Sequence, residues 1–295
     1  MQHADFKLGC QETTDQCSVN SPVQVIAVTS GNPGAGNTNI ALNIAQALSL
    51  AGRSTLLLDA DLGASNIDVL LGLNPEFTLF DVLNGSRSLD EVLLQGPDGI
   101  RLVSAASDMQ QLAGLGLWEC AGLVRAFSDI SGPVNTLVID AASRNGTCVA
   151  SLCRAASEII VTVRSDMESL CSCAALIESL QQKYGIDRFR ILPNCVSSAR
   201  DASQLFGRLL QHFAANHDVM LSCCGFIPQD EYVPKAAVSR QSIISAYPRS
   251  RAAMALRNLA NQIMKWPRTG LAGGHLEFFV ERLIQNENIN MEVRS

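Results

Sequence analysis

The stretch VQVIAVTSGNPGAGNTNIALNIAQALSLAGRSTLLLDAD (residues 23–61) decides the fold of this chain. It opens on a run rich in β-branched side chains (23–30), which is typical of a strand. A glycine-rich loop (31–38) follows, and the next segment (39–51) carries apolar residues at helical spacing. The last segment (54–61) is apolar again and predicts a second buried strand. Strand, loop, helix and strand make one βαβ unit, and such a unit implies a parallel sheet.

The same alternation of apolar strands and amphipathic helices continues along the chain. Near-continuous apolar strands are typical of a sheet that is covered on both faces. We therefore expect one α/β domain with a doubly wound, mostly parallel sheet of the P-loop NTPase type. Further strands are predicted at 100–106, 135–142, 158–165, 187–196 and 219–228, and further helices at 118–129, 170–184, 201–216 and 250–265.

Two flanking segments differ in composition from the α/β body, which spans residues 22–267. Residues 1–21 are polar and mixed, which predicts a flexible N-terminal arm. Residues 268–295 are expected to form a linker and a C-terminal amphipathic helix. The polar face of that helix carries Glu277 and Glu281 beside one arginine, whereas membrane-binding helices usually carry Lys and Arg there. Docking on the protein's own body or on a partner is therefore favoured over the membrane. The apolar stripe comprises Leu276, Phe279, Val280, Leu283 and Ile284.

The composition excludes several classes of protein. Hydrophobic residues make up 47% and charged residues only 17%, against an average charged share of about 25%, so intrinsic disorder is excluded. The net charge of −6 makes direct nucleic-acid binding unexpected. No uncharged apolar run reaches the roughly 18 residues of a membrane span, and the amino terminus lacks the regions of a secretory signal. We expect a cytoplasmic location, where the ten cysteines would be thiols and most simply small core residues.

The glycine-rich loop matches the phosphate-binding pattern G-x-x-x-x-G-K-[ST] at all positions but one. Glycines let backbone N–H groups approach a phosphate, and the N-terminus of the following helix adds partial positive charge. Gly31, Gly34 and Gly36 meet the first requirement, and Thr38 stands where a hydroxyl would bind Mg²⁺. Position 37, where the pattern requires lysine, is Asn37. The loop therefore lacks the charge that neutralises the phosphates, and a glycine-rich turn without a ligand is the alternative.

Several blocks of the sequence resemble one family. The segment VIAVTSGNPGAGNTNIALNIAQALSLAGRSTLLLDADLGASNIDVLLGL (25–73) is similar to the opening of the MinD/ParA group of deviant-P-loop ATPases. GIRLVSAAS (99–107), FRILPNCV (189–196) and FIPQDEYVPKAAV (226–238) are similar to later blocks of its flagellar-number regulators, the FlhG/FleN type. The resemblance extends over residues 22–285 and implies the fold of that group.

The resemblance implies an ATPase that binds ATP and Mg²⁺ and closes two protomers face to face around two nucleotides. The family's signature lysine, which reaches the partner's phosphates, corresponds to Asn32, and its ordinary P-loop lysine corresponds to Asn37. Asp59 and Asp61 match the first switch, where the second aspartate positions the attacking water, so the implied catalytic set is these two aspartates with Asn32. The implied nucleotide-binding residues are Gly31, Gly34, Ala35, Gly36, Asn37, Thr38, Asn39, Asn194, Pro228 and Asp230, and the implied magnesium ligands are Thr38 and Asp140.

The chain departs from the family pattern at several of these positions. Asparagine at both lysine positions donates hydrogen bonds but carries no charge, which removes the groups that counter the charge of the transferring phosphoryl group. The family's D-T-A-A-G is replaced by DAASR (140–144), and its E-P-T-S segment is replaced within RSDMES (164–169). Arg144 could substitute for a lost lysine, although a solvated loop arginine is the simpler interpretation. Asp61 could equally cap a turn, and Asn194 could equally satisfy a loop backbone.

The resemblance also implies a function, the regulation of flagellar number and flagellar genes. Such proteins act as antiactivators of a flagellar transcription activator and work with the flagellar GTPase, with an ATP-dependent homodimer as one of their states. We expect this chain to hydrolyse ATP weakly or not at all. The alternatives are a nucleotide-free pseudo-ATPase scaffold and another ParA-type positioning protein. A peripheral contact with the inner membrane is a further expectation that the sequence leaves open.

Overall fold

A nine-stranded sheet forms the centre of the protein. The computed structural model describes residues 22–60, 67–104, 125–141, 146–215, 218–267 and 280–282. The strands are β1 Gln24–Ser30, β2 Thr55–Asp59, β3 Leu94–Gln95, β4 Arg101–Ser104, β5 Thr136–Asp140, β6 Glu158–Val163, β7 Arg188–Val196, β8 Met220–Cys223 and β9 Ile227–Pro228. Their order is β3-β4-β2-β5-β1-β6-β7-β8, with β9 beside β7. Among the described strands all pairs are parallel except β3 with β4.

Helices cover both faces of this sheet. They are α1 Asn37–Leu50, α2 Ile67–Leu71, α3 Leu79–Leu83, α4 Leu89–Val92, α5 Gly146–Ala155, α6 Met167–Tyr184, α7 Ala199–His212, α8 Tyr232–Val238, α9 Ile243–Ala246 and α10 Arg251–Ile263. Along β1 the side chains alternate between two hydrophobic clusters, with Val25 and Ala27 in one and Ile26 and Val28 in the other. Helices α5, α6 and α7 complete the first cluster, and α1 and α10 complete the second. This two-sided burial explains the near-continuous apolar strands.

The predicted doubly wound, mostly parallel α/β fold is confirmed, with corrections at particular elements. The segment 219–228 forms two strands rather than one, because Gly225 turns the chain with a φ of 113°. The helix predicted to begin at residue 170 begins at Met167. Its start is set by Asp166, whose carboxylate accepts a hydrogen bond from the Ser169 N–H at 2.8 Å. Helix α5, the short helices α2, α3, α4, α8 and α9 and the edge strand β3 were not anticipated.

The flanking segments are only partly described. The arm at 1–21 lies outside the described residues. So do residues 118–124 of the helix predicted at 118–129, and the linker that begins at residue 268. Within the predicted C-terminal helix, residues 280–282 are helical. The side chain of Val280 is 1% exposed and belongs to the first hydrophobic cluster, so at this residue the segment packs on the protein's own core. Across the described part of the chain, no helix combines the length and the apolar character needed to cross a membrane.

Candidate functional site

The glycine-rich loop lies at the carboxyl edge of the sheet, between the end of β1 and the start of α1. This is the edge where ligands bind in open α/β folds. Two loop glycines have left-handed backbone, with φ values of 79° at Gly34 and 95° at Gly36. An added Cβ at Gly34 would meet no atom within 4 Å, so the conformation alone explains this glycine. Ala35, between them, is buried. The loop therefore has the backbone shape of an anion cradle at a helix N-terminus.

Gly31 is required for a different reason, which is the close approach of helix α6. Its φ lies outside the left-handed region. A Cβ at this position would collide with the backbone carbonyl of Ser172 and would lie 2.5 Å from the backbone nitrogen of Cys173. The first loop residue is therefore packed against the backbone of a helix that lies about 140 residues further along the chain.

Asn37, at the position of the P-loop lysine, turns its side chain into the sheet and is 5% exposed. Its amide contacts the hydroxyl of Thr162 on the neighbouring strand β6 and lies 2.7 Å from the hydroxyl of Ser30. The amide orientation that satisfies its neighbours lets Oδ1 accept from the Ser30 N–H at 3.2 Å and Nδ2 donate to the Thr29 carbonyl at 3.3 Å. This side chain thus joins the loop to β1 and β6 through neutral hydrogen bonds.

Asn32, which the family resemblance places at the position of the signature lysine, is held by the turn between β6 and α6. The Ser169 hydroxyl donates to Asn32 Oδ1 at 3.1 Å, and the Ser30 hydroxyl donates to the Asn32 carbonyl at 2.7 Å. Ser169 is fully buried and also accepts a hydrogen bond from the Arg164 N–H at 2.9 Å. The side chains of Asn32 and Asn37 are therefore both held within this protomer by neutral hydrogen-bonding groups.

Two buried aspartates end neighbouring strands beside the loop. Asp59 on β2 and Asp140 on β5 stand opposite each other in the parallel register, and both are 0% exposed. Asp59 Oδ2 accepts a hydrogen bond from the Ile67 N–H at 2.7 Å, which fixes the start of α2. Thr38, in the first turn of α1, is 8% exposed. A threonine hydroxyl and carboxylates are the oxygen donors that Mg²⁺ prefers, so this donor set fits the ion. Asp61 lies outside the described residues.

Asn194, on β7, supports the loop from its other side. Its side-chain Nδ2 donates to the Ala35 carbonyl at 2.7 Å, and its Oδ1 accepts from the Cys195 N–H at 2.9 Å. A Cβ at Gly36 would lie 2.5 Å from that Nδ2. In this structure the Nδ2 and Oδ1 atoms of Asn194 therefore both bind backbone groups. Satisfying a loop backbone is one of the two roles that the sequence leaves open for this residue. Contact with a base stays a prediction.

Pro228 ends β9, which lies beside β7 at the carboxyl edge of the sheet, and Asp230 is two residues further along the chain. Pro228 is paired with Val196 on β7. The Asp230 carboxylate accepts from the Tyr232 N–H at 3.0 Å and from the Ala252 N–H at 2.9 Å, so it joins the first turns of α8 and α10. Partial burial acts to raise the pKa of Asp230, but the hydrogen bonds from these two backbone groups and from the Ser250 hydroxyl, together with the charge of Arg251, outweigh it and the pKa is lowered.

Asn39, the remaining predicted nucleotide-binding residue, lies in the first turn of α1 and belongs to a partly buried polar cluster on that helix. Asn43 is fully buried and donates to the Asn39 carbonyl at 2.7 Å and to its Oδ1 at 3.0 Å. Asn43 Oδ1 in turn accepts from the Ile244 N–H at 3.2 Å. This cluster was not predicted from the sequence, although polar residues on the apolar face of a predicted helix are the signal that points to one.

Two further residues at the site were missed, Arg164 and Ser169. Arg164 Nη1 lies 3.5 Å from the Gly34 carbonyl, and its Nε lies 3.6 Å from Asp166 Oδ2. Both residues lie in the segment 164–169, which the sequence comparison with the family pattern had already set apart as divergent. Arg144, the cation that the sequence analysis considered, lies outside the described residues.

The described cysteines form no metal-binding cluster with His, Asp or Glu. Cys153, Cys173 and Cys224 are buried thiols. Burial raises the pKa of Cys173 to about 12 and is the main reason that the pKa of Cys224 also rises to about 12, so these two thiols are poor nucleophiles at neutral pH.

Comparison with known proteins identifies the family to which this domain is similar. The model of the CobQ/CobB/MinD/ParA nucleotide binding domain matches residues 26–243. The chain is 45% identical to the antiactivator FleN of Pseudomonas aeruginosa over 265 residues, which are 90% of this chain and 95% of that protein.

Solved structures show the same fold at low sequence identity. A chain of the MinC:MinD cell division protein complex of Aquifex aeolicus has a TM-score of 0.65 and 20% identity, and the match covers 85% of this chain and 100% of that one. MinD of Pyrococcus horikoshii, solved with Mg-ADP, has a TM-score of 0.62 and 21% identity over 82% of this chain and 96% of that one. The family model spans well over half of the sequence and contains the whole loop, both buried aspartates and Asn194. The chain therefore belongs to the CobQ/CobB/MinD/ParA family of nucleotide-binding domains.

Proposed function

We propose that this protein is a MinD-like regulator of flagellar genes and flagellar number that acts as an antiactivator of a flagellar transcription activator. The observation that carries the proposal is the 45% identity to antiactivator FleN over 90% of the chain. An identity of this size over nearly the whole length favours a shared role more strongly than the fold, which also serves unrelated functions.

We further propose that the site binds ATP with Mg²⁺ and hydrolyses it weakly or not at all. The loop retains the left-handed glycines, the helix N-terminus and the oxygen donor Thr38, and a second oxygen donor, Asp140, ends the neighbouring strand β5. Magnesium would be held by these oxygens and would offset part of the phosphate charge. The neutral side chains of Asn32 and Asn37 cannot offset the charge that develops on a transferring phosphoryl group. Binding without turnover would make the protein a nucleotide-dependent switch that stays in one state.

The partners follow from the same proposal. The expected partners are the flagellar transcription activator, the flagellar GTPase and a second copy of this chain, with which it would form a homodimer closed over ATP. The location proposed is the cytoplasm, with peripheral contact at the inner membrane as a further state. Packing of Val280 on the protein's own core supports a body-docked C-terminal helix in the state described.

A second candidate is a protein-binding scaffold without nucleotide. The observation that favours it is the set of hydrogen bonds that Asn37 makes to Ser30, Thr162 and Thr29, because these partners stabilise the loop without any phosphate.

Calorimetric titration with a non-hydrolysable ATP analogue separates the two candidates. We expect binding of the analogue that weakens strongly when Mg²⁺ is left out, and release of phosphate from saturating Mg-ATP that is far slower than in a relative with both lysines. An absence of heat in the presence of Mg²⁺ would favour the scaffold. Hydrolysis as fast as that of the lysine-bearing relative would contradict the impaired switch.

The flagellar role is tested in the native host by deleting the gene. Because an antiactivator restrains its target, we expect the deletion to raise flagellar promoter activity and the number of flagella per cell. Re-expression of the native chain should reverse both effects. As a matched control, the Arg188→Ala chain, altered at an exposed arginine at the opposite end of β7 from the loop, should do so equally well. Unchanged promoter activity and flagellar number in the deletion strain would overturn the proposed role.

A further inference from the structure

The turn between β6 and α6 brings a cationic side chain to the rim of the loop. In the parallel pairing of β1 with β6, Ser30 stands beside Thr162, so the residues that follow these two run alongside each other. Arg164 is two residues beyond Thr162 and reaches the loop, where its Nη1 lies 3.5 Å from the Gly34 carbonyl. The cation thus comes from a strand adjacent to the loop and not from the loop itself.

We propose that Arg164 supplies to the bound phosphates the positive charge that positions 32 and 37 no longer carry. This inference rests on the proposed nucleotide binding and names the side chain that would offset the phosphate charge. A guanidinium suits the task because its planar array of N–H donors can bind two phosphate oxygens at once. A single arginine would offset only part of the charge, which agrees with binding that is not followed by efficient transfer.

The backbone of Arg164 is fixed by a hydrogen bond, whereas its guanidinium group is held only weakly. Its backbone N–H donates to the Ser169 hydroxyl at 2.9 Å, and that hydroxyl donates to Asn32 Oδ1 at 3.1 Å. Among the residues that the structure describes, its guanidinium makes two long polar contacts, 3.5 Å to the Gly34 carbonyl and 3.6 Å to Asp166 Oδ2, and its side chain is 48% exposed. Exposed contacts of this length are weak, so an anion at the loop can draw the guanidinium away from them.

Two ionisable side chains lie near the Arg164 guanidinium, those of Asp166 and Cys195. Asp166 is the competing acid, and it also caps α6 through its other carboxylate oxygen. Cys195, next to the Asn194 that supports the loop, lies within the field of Arg164. Burial raises the pKa of Cys195, and the charge of Arg164 partly opposes that rise. The guanidinium thus lies near both the Gly34 carbonyl of the loop and the carboxylate of Asp166.

Titrations with Mg²⁺ and a non-hydrolysable ATP analogue test the assignment in the full chain. We expect Arg164→Ala to weaken binding about tenfold or more, as loss of a charge-assisted contact does. Arg164→Lys should restore part of the affinity, and the salt dependence of binding should be shallower in the alanine variant. Arg188→Ala serves as the matched control, because Arg188 is also exposed but lies at the opposite end of β7 from the loop. Unfolding temperatures should be equal in all four chains.

The outcomes separate this inference from the proposed function. If the native chain binds the analogue and Arg164→Ala binds it equally well, the assignment of Arg164 is overturned and the proposed nucleotide binding stands. If the native chain binds no analogue, the nucleotide-binding proposal fails and the role of Arg164 fails with it. A loss of affinity in Arg188→Ala as large as that in Arg164→Ala would also overturn the assignment, since it would reflect net charge alone.

Discussion

Replacing Asn32 and Asn37 together by lysine should raise the rate of ATP hydrolysis by about 10²-fold or more. Removal of one electrostatic stabiliser of a transition state typically costs about 10²–10³ in rate, and phosphoryl transfer depends on such groups almost entirely. The double substitution returns both cations to a loop whose glycines, helix N-terminus and buried aspartates are in place. Phosphate release at saturating Mg-ATP measures the effect, and light scattering measures any dimerisation that ATP now induces.

The structure also predicts a cost of the substitution. In the native chain Asn37 Oδ1 accepts the Ser30 N–H, and a lysine offers no acceptor for it. The apo form of the variant should therefore be less stable than the native chain by about 1 kcal/mol. Added Mg-ATP should more than recover this loss, because a ligand stabilises the state that binds it.

Methionine at the same two positions provides the matched control. Its side chain approaches the length of lysine without the charge, so an Asn32→Met, Asn37→Met chain should stay as inactive as the native one. If the lysine variant binds nucleotide and still turns over no faster than the methionine variant, the missing lysines are not the cause of weak hydrolysis. The replaced segments at 140–144 and 164–169 would then be the next positions to test.

The sequence predicts well those features that depend on local pattern. The β1–α1–β2 unit follows from β-branched runs on either side of a glycine loop and a helical periodicity. Helix ends were predicted less well, because they depend on single caps such as Asp166 and Ser198 that hydrogen-bond only once the turn is formed. The short helices α8 and α9 have too few residues for a periodic signal.

The side-chain arrangement at the site could not be predicted in the same way. The motif shows that Asn37 replaces a lysine, but its contact with Thr162 depends on the pairing of strands that are far apart in sequence. The position of Arg164 beside Gly34 depends on the same pairing. A motif specifies which residue types are present, whereas their partners come from the register between β1 and β6.

Gly31→Ala should lower the free energy of unfolding by about 3 kcal/mol, as overpacking against a rigid neighbour does. The new methyl group would meet the backbone of Ser172 and Cys173 rather than a flexible side chain, so either the loop or helix α6 must move. For a chain of this size the loss corresponds to a fall of roughly 5 °C in unfolding temperature. Urea denaturation without nucleotide measures the loss directly.

Gly34→Ala is the matched comparison within the same loop. Its Cβ meets nothing within 4 Å, and only the φ of 79° opposes it, so a loss of about 1 kcal/mol is expected. The difference between the two variants decides what keeps glycine at position 31. If glycine there served phosphate binding alone, Gly31→Ala would be as stable as Gly34→Ala and defective only with nucleotide. A larger loss of stability in the absence of nucleotide means that helix α6 itself requires the glycine, and that the loop keeps its shape whether or not ATP is bound.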